Sequence, residues 1–220
     1  ISRDTHKSLT WNRPQNYLWA KEDLVCPTSI TEAREASQYF PICFTLTEDG
    51  YRLNILLGCE HKYKNLFVTG EGNWIEAILP ANYLCYPFQL LQIEKDNEID
   101  KDEKVLCIHE DFESMSSDGE PYFNSEGELA DLVSSAVSKL TTHYNALPAT
   151  NTACAKLEEL NLIIPWNPSL TVDGSTYKCE GLYCVDEKRL NQATGENLRE
   201  LIEVGALPLA YMQLLSIQNI

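Results

Sequence analysis

Basic residues are scarce: 17 Lys and Arg stand against 33 Asp and Glu, a formal net charge of -16 over 220 residues. A chain so acidic repels phosphate backbones and anionic membrane surfaces at long range, which argues against nucleic acid as a partner. No run reaches the ~18 apolar residues that a spanning helix needs, so no integral membrane segment is expected. Phosphate-binding and acyl-transfer signatures are missing too. Gly70-Glu71-Gly72 lacks the third glycine of a dinucleotide fingerprint, and neither a Gly-Lys-Ser/Thr loop nor a Gly-x-Ser-x-Gly elbow occurs. No linker rich in Gly, Ser or Pro and no internal repeat interrupts the chain, which predicts one domain over residues 1–220.

Cysteine is present, at positions 26, 43, 59, 85, 107, 154, 179 and 184, but no Cys-x-x-Cys pair marks a zinc or redox site. Most of these thiols lie in apolar runs, where they behave as small hydrophobes, and a chain with its own core does not need disulfides. Reduced thiols, and no basic start leading into an apolar core, predict a cytoplasmic location. The 44% hydrophobic and 10% aromatic content predicts a folded globule.

The most patterned stretch runs from Gln38 to Phe88. Ile42, Phe44 and Leu46, then Leu53, Ile55 and Leu57, alternate with their neighbours at the strand period of two, around the hairpin signal Glu48-Asp49-Gly50. Asn65–Val68 and Trp74–Leu79 repeat the arrangement around Thr69–Asn73, and Pro80 ends the ladder. Gln89–Glu94 and Val105–Ile108 read as two strands joined by a solvated acidic loop. That loop fails the calcium template, because the sixth position from Asp96 is Lys101 rather than Gly and the twelfth is Cys107 rather than Glu.

From Glu128 the period changes to 3.6, with Leu129, Leu132, Val133, Ala136, Val137, Leu140 and Tyr144 on one face and Ser125 placed as the cap. Pro148 separates this helix from a second over Thr152–Leu160, a helical hairpin that ends at Asn161. Asp186 caps a short helix through Leu190, a further helix covers Thr194–Val204 and ends at Gly205, and the apolar tail Ala206–Ile217 is expected to be buried. The fold class is therefore α+β: residues 1–37 an arm and short helix, 38–108 an antiparallel β meander, and 125–220 a mainly helical half packed on it.

The series FPICF, LLG, KNLFV, Gly72-Asn73-Trp74, LPANY and YPF is similar to the SapC family of bacterial proteins, named after a surface-layer locus. The resemblance continues through Gly119–Phe123, Leu162–Trp166, Gly181–Asn191 and Gly205–Ser216, and so covers most of the chain. Members often carry two arginines before Tyr-Pro-Phe, where this chain has Leu84-Cys85, so no role that needs basic side chains there carries over. The family name suggests the cell surface as the alternative to the cytoplasm. The resemblance implies membership and no particular activity, which leaves a non-catalytic accessory or protein-interaction role.

Two sets of residues are candidates for a site. Tyr63, Lys64 and Asn65 form a polar loop, and Asn73 and Trp74 head the next segment, so these turns are expected to border a groove for a protein partner with aromatic anchors. From a different class, His109-x-Asp111 with His143 has the ligand order of a facial triad for Fe(II), as in a metal-dependent oxygenase. His143 lies inside a helix pattern, and no arginine follows it until Arg189 to hold an acidic co-substrate. Cys59-Glu60-His61 sets a thiol and an imidazole near each other but offers no closed ligand set.

Overall fold

The computed structural model describes residues 1, 3–59, 64–95, 98–109, 119–172 and 174–220. With 38% helix and 25% strand the chain is α+β, as the change of period implies. In chain order the first part runs α1 (Arg3–His6), β1 (Thr10–Trp11), β2 (Val25–Pro27), α2 (Ile30–Ala36), β3 (Ile42–Thr47) and β4 (Gly50–Leu56). The middle holds α3 (Ala81–Leu84), β5 (Phe88–Lys95), β6 (Glu98–Ile108), β7 (Glu120–Pro121) and the long α4 (Asp131–Glu159). The rest is β8 (Ile163–Trp166), β9 (Ser169–Val172), β10 (Ser175–Lys178), β11 (Leu182–Val185), α5 (Glu187–Leu190), α6 (Gly195–Glu203) and α7 (Ala206–Ser216). Two compact units form, one from residues 1–15 and 81–145, the other from 16–80 and 146–220.

The second unit is built on a five-stranded antiparallel sheet of order β2-β4-β3-β11-β8. Its nucleus is the hairpin expected from the alternation, β3 on β4 in a register from Ile42↔Ile55 to Thr47↔Gly50, with Gly50 at φ 99 in the turn. The rest of the sheet differs from a sequential meander. β2 comes from the arm and β8 and β11 come from the C-terminal half, so β3 and β4 become inner strands paired along both edges, and α7 packs on β3. Half-burial accordingly gives way to continuous burial at Ile42, Cys43 and Phe44 and again from Leu53 to Leu57. The second predicted hairpin reduces to one bridge, Val68↔Trp74, with Ile75 N–H on the Phe67 carbonyl at 3.0 Å; Trp74–Leu79 is not a strand.

A polar clamp from α7 completes the sheet's centre. β11 and β3 pair only at Leu182↔Thr45 and Tyr183↔Phe44. Continued in that register, Val185 would face Ile42, and there the amide of Gln213 stands in for the ladder. Its Oε1 accepts from Val185 N–H at 2.9 Å and its Nε2 donates to the Ile42 carbonyl at 3.2 Å. Ser216 Oγ accepts from Ile42 N–H at 2.8 Å and donates to the Gln213 carbonyl at 2.6 Å. Ala206, Leu209 and Ala210 lie on the same buried face of α7, while Tyr211 and Leu215 are exposed, so the tail is buried on one side only. Asp186 caps α5 as expected, Thr194 caps α6 rather than lying inside it, and Gly205 sits at φ 73 between α6 and α7.

In the first unit β5 and β6 form a separate ribbon, paired from Phe88↔Ile108 to Lys95↔Glu98. Much of the charge run is therefore strand rather than loop; Asp96 lies outside the described residues. Trp11, Phe88 and Tyr122 pack with Cys85, Val133 and Leu140 in one core, the Trp11 and Phe88 rings meeting edge to face at 4.7 Å. α4 begins at Asp131 rather than after Ser125, because Phe123 and Leu129 bridge as extended chain and Asn124 Oδ1 accepts from Glu126 and Glu128 N–H at 3.0 Å.

Pro148 does not split the helix: α4 runs through it as one 29-residue element, contributing residues to both units. A proline removes a single helical N–H at a cost of about 3 kcal/mol that surrounding packing can offset, and two hydroxyls back-bond to carbonyls next to it. Thr150 Oγ1 donates to the Ala146 carbonyl at 2.7 Å and Thr152 Oγ1 to the Pro148 carbonyl at 3.0 Å. The Thr150 hydroxyl also accepts the first N–H of α2, from Ile30 at 3.0 Å, while Ser29 at the helix start makes no side-chain cap. Asn161 then ends the helix at φ 54. No single helix among the described residues is long and apolar enough to cross a membrane.

Candidate functional site

Both candidate turns fold onto one short segment of the second unit, Asn16–Glu22. Tyr17 N–H donates to the Gly72 carbonyl at 2.8 Å, and Asn65 N–H to the Lys21 carbonyl at 3.1 Å. The Thr69–Asn73 turn closes on itself through Thr69 N–H to Asn73 O and Gly72 N–H to Thr69 O, both at 2.9 Å. Gly72, at φ 88, is required there: a Cβ would lie 2.4 Å from the Asn16 side chain. Asn16 in turn holds both strands of the arrangement, Nδ2 donating to the Glu71 carbonyl at 2.9 Å and Oδ1 accepting from Leu18 N–H at 3.0 Å.

This packing assembles five rings. Trp74 lies 6.0 Å from Tyr17, 6.1 Å from Phe40 and 5.7 Å from Phe67; Phe40 meets Phe67 edge to face at 4.9 Å, and Tyr17 lies 6.2 Å from Trp19. Trp74 Nε1 donates to the Ile78 carbonyl at 2.7 Å, which fixes the indole. Phe40 is fully buried, whereas Trp19, Phe67 and Trp74 are only half-buried. Their chain neighbours face solvent: Leu18 is 41% and Ile75 62% exposed, and Asn73 is exposed beside them.

The other candidates have different roles. Asn65 is 6% exposed and commits its amide to the fold, Nδ2 to the Ala20 carbonyl at 2.9 Å and Oδ1 from Phe67 N–H at 3.0 Å. Lys64 pairs with Glu22 at 2.7 Å, and its ammonium, hydrogen-bonded to that carboxylate, holds Glu22 below its ordinary value. Tyr63 lies outside the described residues. Tyr17, Trp19 and Phe40 were not candidates, although Leu18-Trp19 stands out in the sequence as an apolar pair in a polar arm.

The iron-ligand candidates fall in contrasting surroundings. His109 is exposed and stacked on Tyr86 at 5.4 Å, with its N–H on the Pro87 carbonyl at 3.1 Å. His143 is 4% exposed, inside α4, its ring edge-on to Tyr144 at 5.5 Å. Asp111 lies outside the described residues, and among those described no three His, Cys, Asp or Glu side chains are grouped to hold a metal ion. All eight cysteines are free thiols, seven of them buried. Cys43, Cys59 and Cys179 share one apolar cluster with Leu56, Leu170 and Leu182; burial, with Cys59 beside it, pushes the Cys179 thiol up to about 12. Glu60 and His61 lie outside the described residues.

The SapC family model matches residues 1–220, the whole chain. No curated protein and no solved structure matches. The chain belongs to the SapC family.

Proposed function

We propose that this SapC-family protein is a non-catalytic accessory protein that recognises a partner protein through the aromatic patch around Trp74. The observation that carries this reading is the exposure of Ile75 and Leu18 directly beside rings that hydrogen bonds and stacking hold in place. Rings already ordered in the free protein lose little side-chain entropy on binding, so their burial is available to the complex. The formal charge of -16 favours a partner whose apolar anchor is flanked by basic residues. Lys64 and Asn65 support the patch from behind, by ordering the Ala20–Glu22 backbone and its carboxylate.

The family match over residues 1–220 and the passage of α4 through both units support treating the chain as one SapC domain. A reducing compartment, the cytoplasm, is part of the same proposal and is supported by eight free thiols. Alkylation without reductant followed by mass spectrometry tests it: most thiols are expected to be labelled once the protein is denatured, and three or four disulfides would exclude it.

Affinity capture from the native cell tests the patch. Trp74→Ala is a poor probe, because the indole is also a packing element. Ile75→Asp and Leu18→Asp change exposed side chains, where substitution costs little stability. Each is expected to lose the co-eluting protein while melting as the parent does. Retention of every partner by both variants would rule out the patch.

A further inference from the structure

A cavity of about 330 Å³ lies in the second unit, against the sheet. Pro41, Leu56, Leu57, Leu66, Phe67 and Leu170 form its apolar walls. One wall is the β9–β10 hairpin, which pairs with no other strand in the described residues. A lone hairpin is marginal by itself, so its seat depends on few anchors. They are Leu170 and Tyr177 against the Cys43, Cys59 and Cys179 cluster, and Cys179, whose N–H donates to the Pro168 carbonyl at 2.9 Å and whose Sγ lies 3.8 Å from the Gly58 carbonyl.

Size and polarity narrow what fits. A cavity of about 150 Å³ lined by Leu, Ile and Phe takes up benzene, and ligand pockets begin near 300 Å³, so this one has room for a bicyclic ring system. No Asp, Glu, Lys, Arg or His side chain lines it, in a chain where 23% of residues are charged. An anionic group placed inside would be desolvated without a counter-charge, which is strongly unfavourable; Gly58 and Ile220 complete the lining. Backbone groups in the walls are already paired, Leu56 N–H with the Pro41 carbonyl at 2.8 Å and Leu66 N–H with the Leu57 carbonyl at 2.9 Å. Asn219 directs its Nδ2 to the Ser37 and Phe40 carbonyls at 2.9 and 3.3 Å, and Thr171 pairs with Thr176 at 3.3 Å. The exposed rim residues Ser169 and Thr171 thus supply hydroxyls for hydrogen bonds to a ligand.

We propose that this cavity binds a neutral, largely apolar small molecule of about bicyclic size, carrying a single hydroxyl, carbonyl or amide directed at the Ser169 and Thr171 rim. The site does not rest on the partner patch, although Phe67 belongs to both: its ring forms a cavity wall and stacks with Trp74 at 5.7 Å.

The test is a titration of the full chain with 2-naphthol, a neutral bicyclic probe with one hydroxyl, beside its anionic relative naphthalene-2-sulfonate. The neutral probe is expected to saturate one site per chain and to bind at least tenfold more tightly than the sulfonate. Leu66→Trp, from the wall, and Thr171→Trp, from the exposed rim, fill the space and are expected to weaken the neutral probe at least tenfold while melting cooperatively. If one variant does not fold the other decides, and if neither folds the comparison of the two probes on the parent decides. Non-saturable binding, equal affinity for the sulfonate, or undiminished binding by a folded filled variant overturns the proposal.

Discussion

Replacing Gln213 by leucine keeps the size and helix preference of the side chain and removes both halves of its amide. Two buried backbone groups then lose their partners, Val185 N–H and the Ile42 carbonyl, and the packed α7 excludes water from both. An orphaned buried polar group costs ~1–3 kcal/mol, so the expected loss is ~2–6 kcal/mol, a large share of the ~5–15 kcal/mol that holds an ordinary domain together. Urea denaturation followed by far-ultraviolet circular dichroism measures the total, and hydrogen exchange at the Val185 amide locates it. That amide is expected to exchange at the rate of an open strand edge in Gln213→Leu. Ser216→Ala removes the acceptor of Ile42 N–H and is expected to cost ~1–3 kcal/mol. Because both side chains act on Ile42, the double variant is expected to fall short of the sum. A Gln213→Leu protein with parental stability and a protected Val185 amide would refute the clamp.

Three other outcomes are expected. Burial raises the Cys154 and Cys179 thiols to about 12 and Cys184 to about 11, so the folded state keeps protons that the unfolded state loses above its ordinary thiol value. Their stabilisation is complete below about pH 8.5 and falls as pH rises toward those values, by roughly 4 kcal/mol per pH unit for the three together once the unfolded thiols ionise; denaturation midpoints unchanged up to about pH 10 would contradict it. Gly72→Ala meets both a positive φ and the Asn16 side chain, and is expected to cost over ~1–2 kcal/mol and to release Asn16, seen as a lower melting temperature and a change in tryptophan emission. Elemental analysis of protein purified without chelators is expected to find no stoichiometric iron; iron retained by the parent and lost in His109→Ala would favour the oxygenase reading instead.

What local chemistry determines was legible in the sequence. The β3–β4 hairpin follows from alternation and Gly50, the cap of α5 from Asp186, and the end of α4 from Asn161. Non-local pairing was not legible. Nothing in Leu182–Val185 names β3 as the neighbour, nor does LIIPW name β11, because strand order is settled by which faces the whole unit must bury. Pro148 reads as a break because the packing that offsets its lost N–H is not written in the local sequence, yet the helix runs through it. Gln213 reads as a chance polar residue in an apolar helix, and its role emerges only where two strands diverge. At the site, Trp74 was legible as an aromatic at a turn, but its neighbours Tyr17 and Phe40 arrive from separate parts of the chain.

Site-specific photo-crosslinking in the native cell tests partner recognition most directly. p-Benzoylphenylalanine placed at Ile75, and as a control at Leu215, compares two side chains of similar exposure, 62% and 67%, only one of which borders the aromatic rings. Position 75 is expected to yield one discrete adduct, formed on a segment of the partner rich in Lys and Arg, and position 215 none. An adduct at 215 without one at 75, or no adduct at either, would contradict recognition through the Trp74 patch.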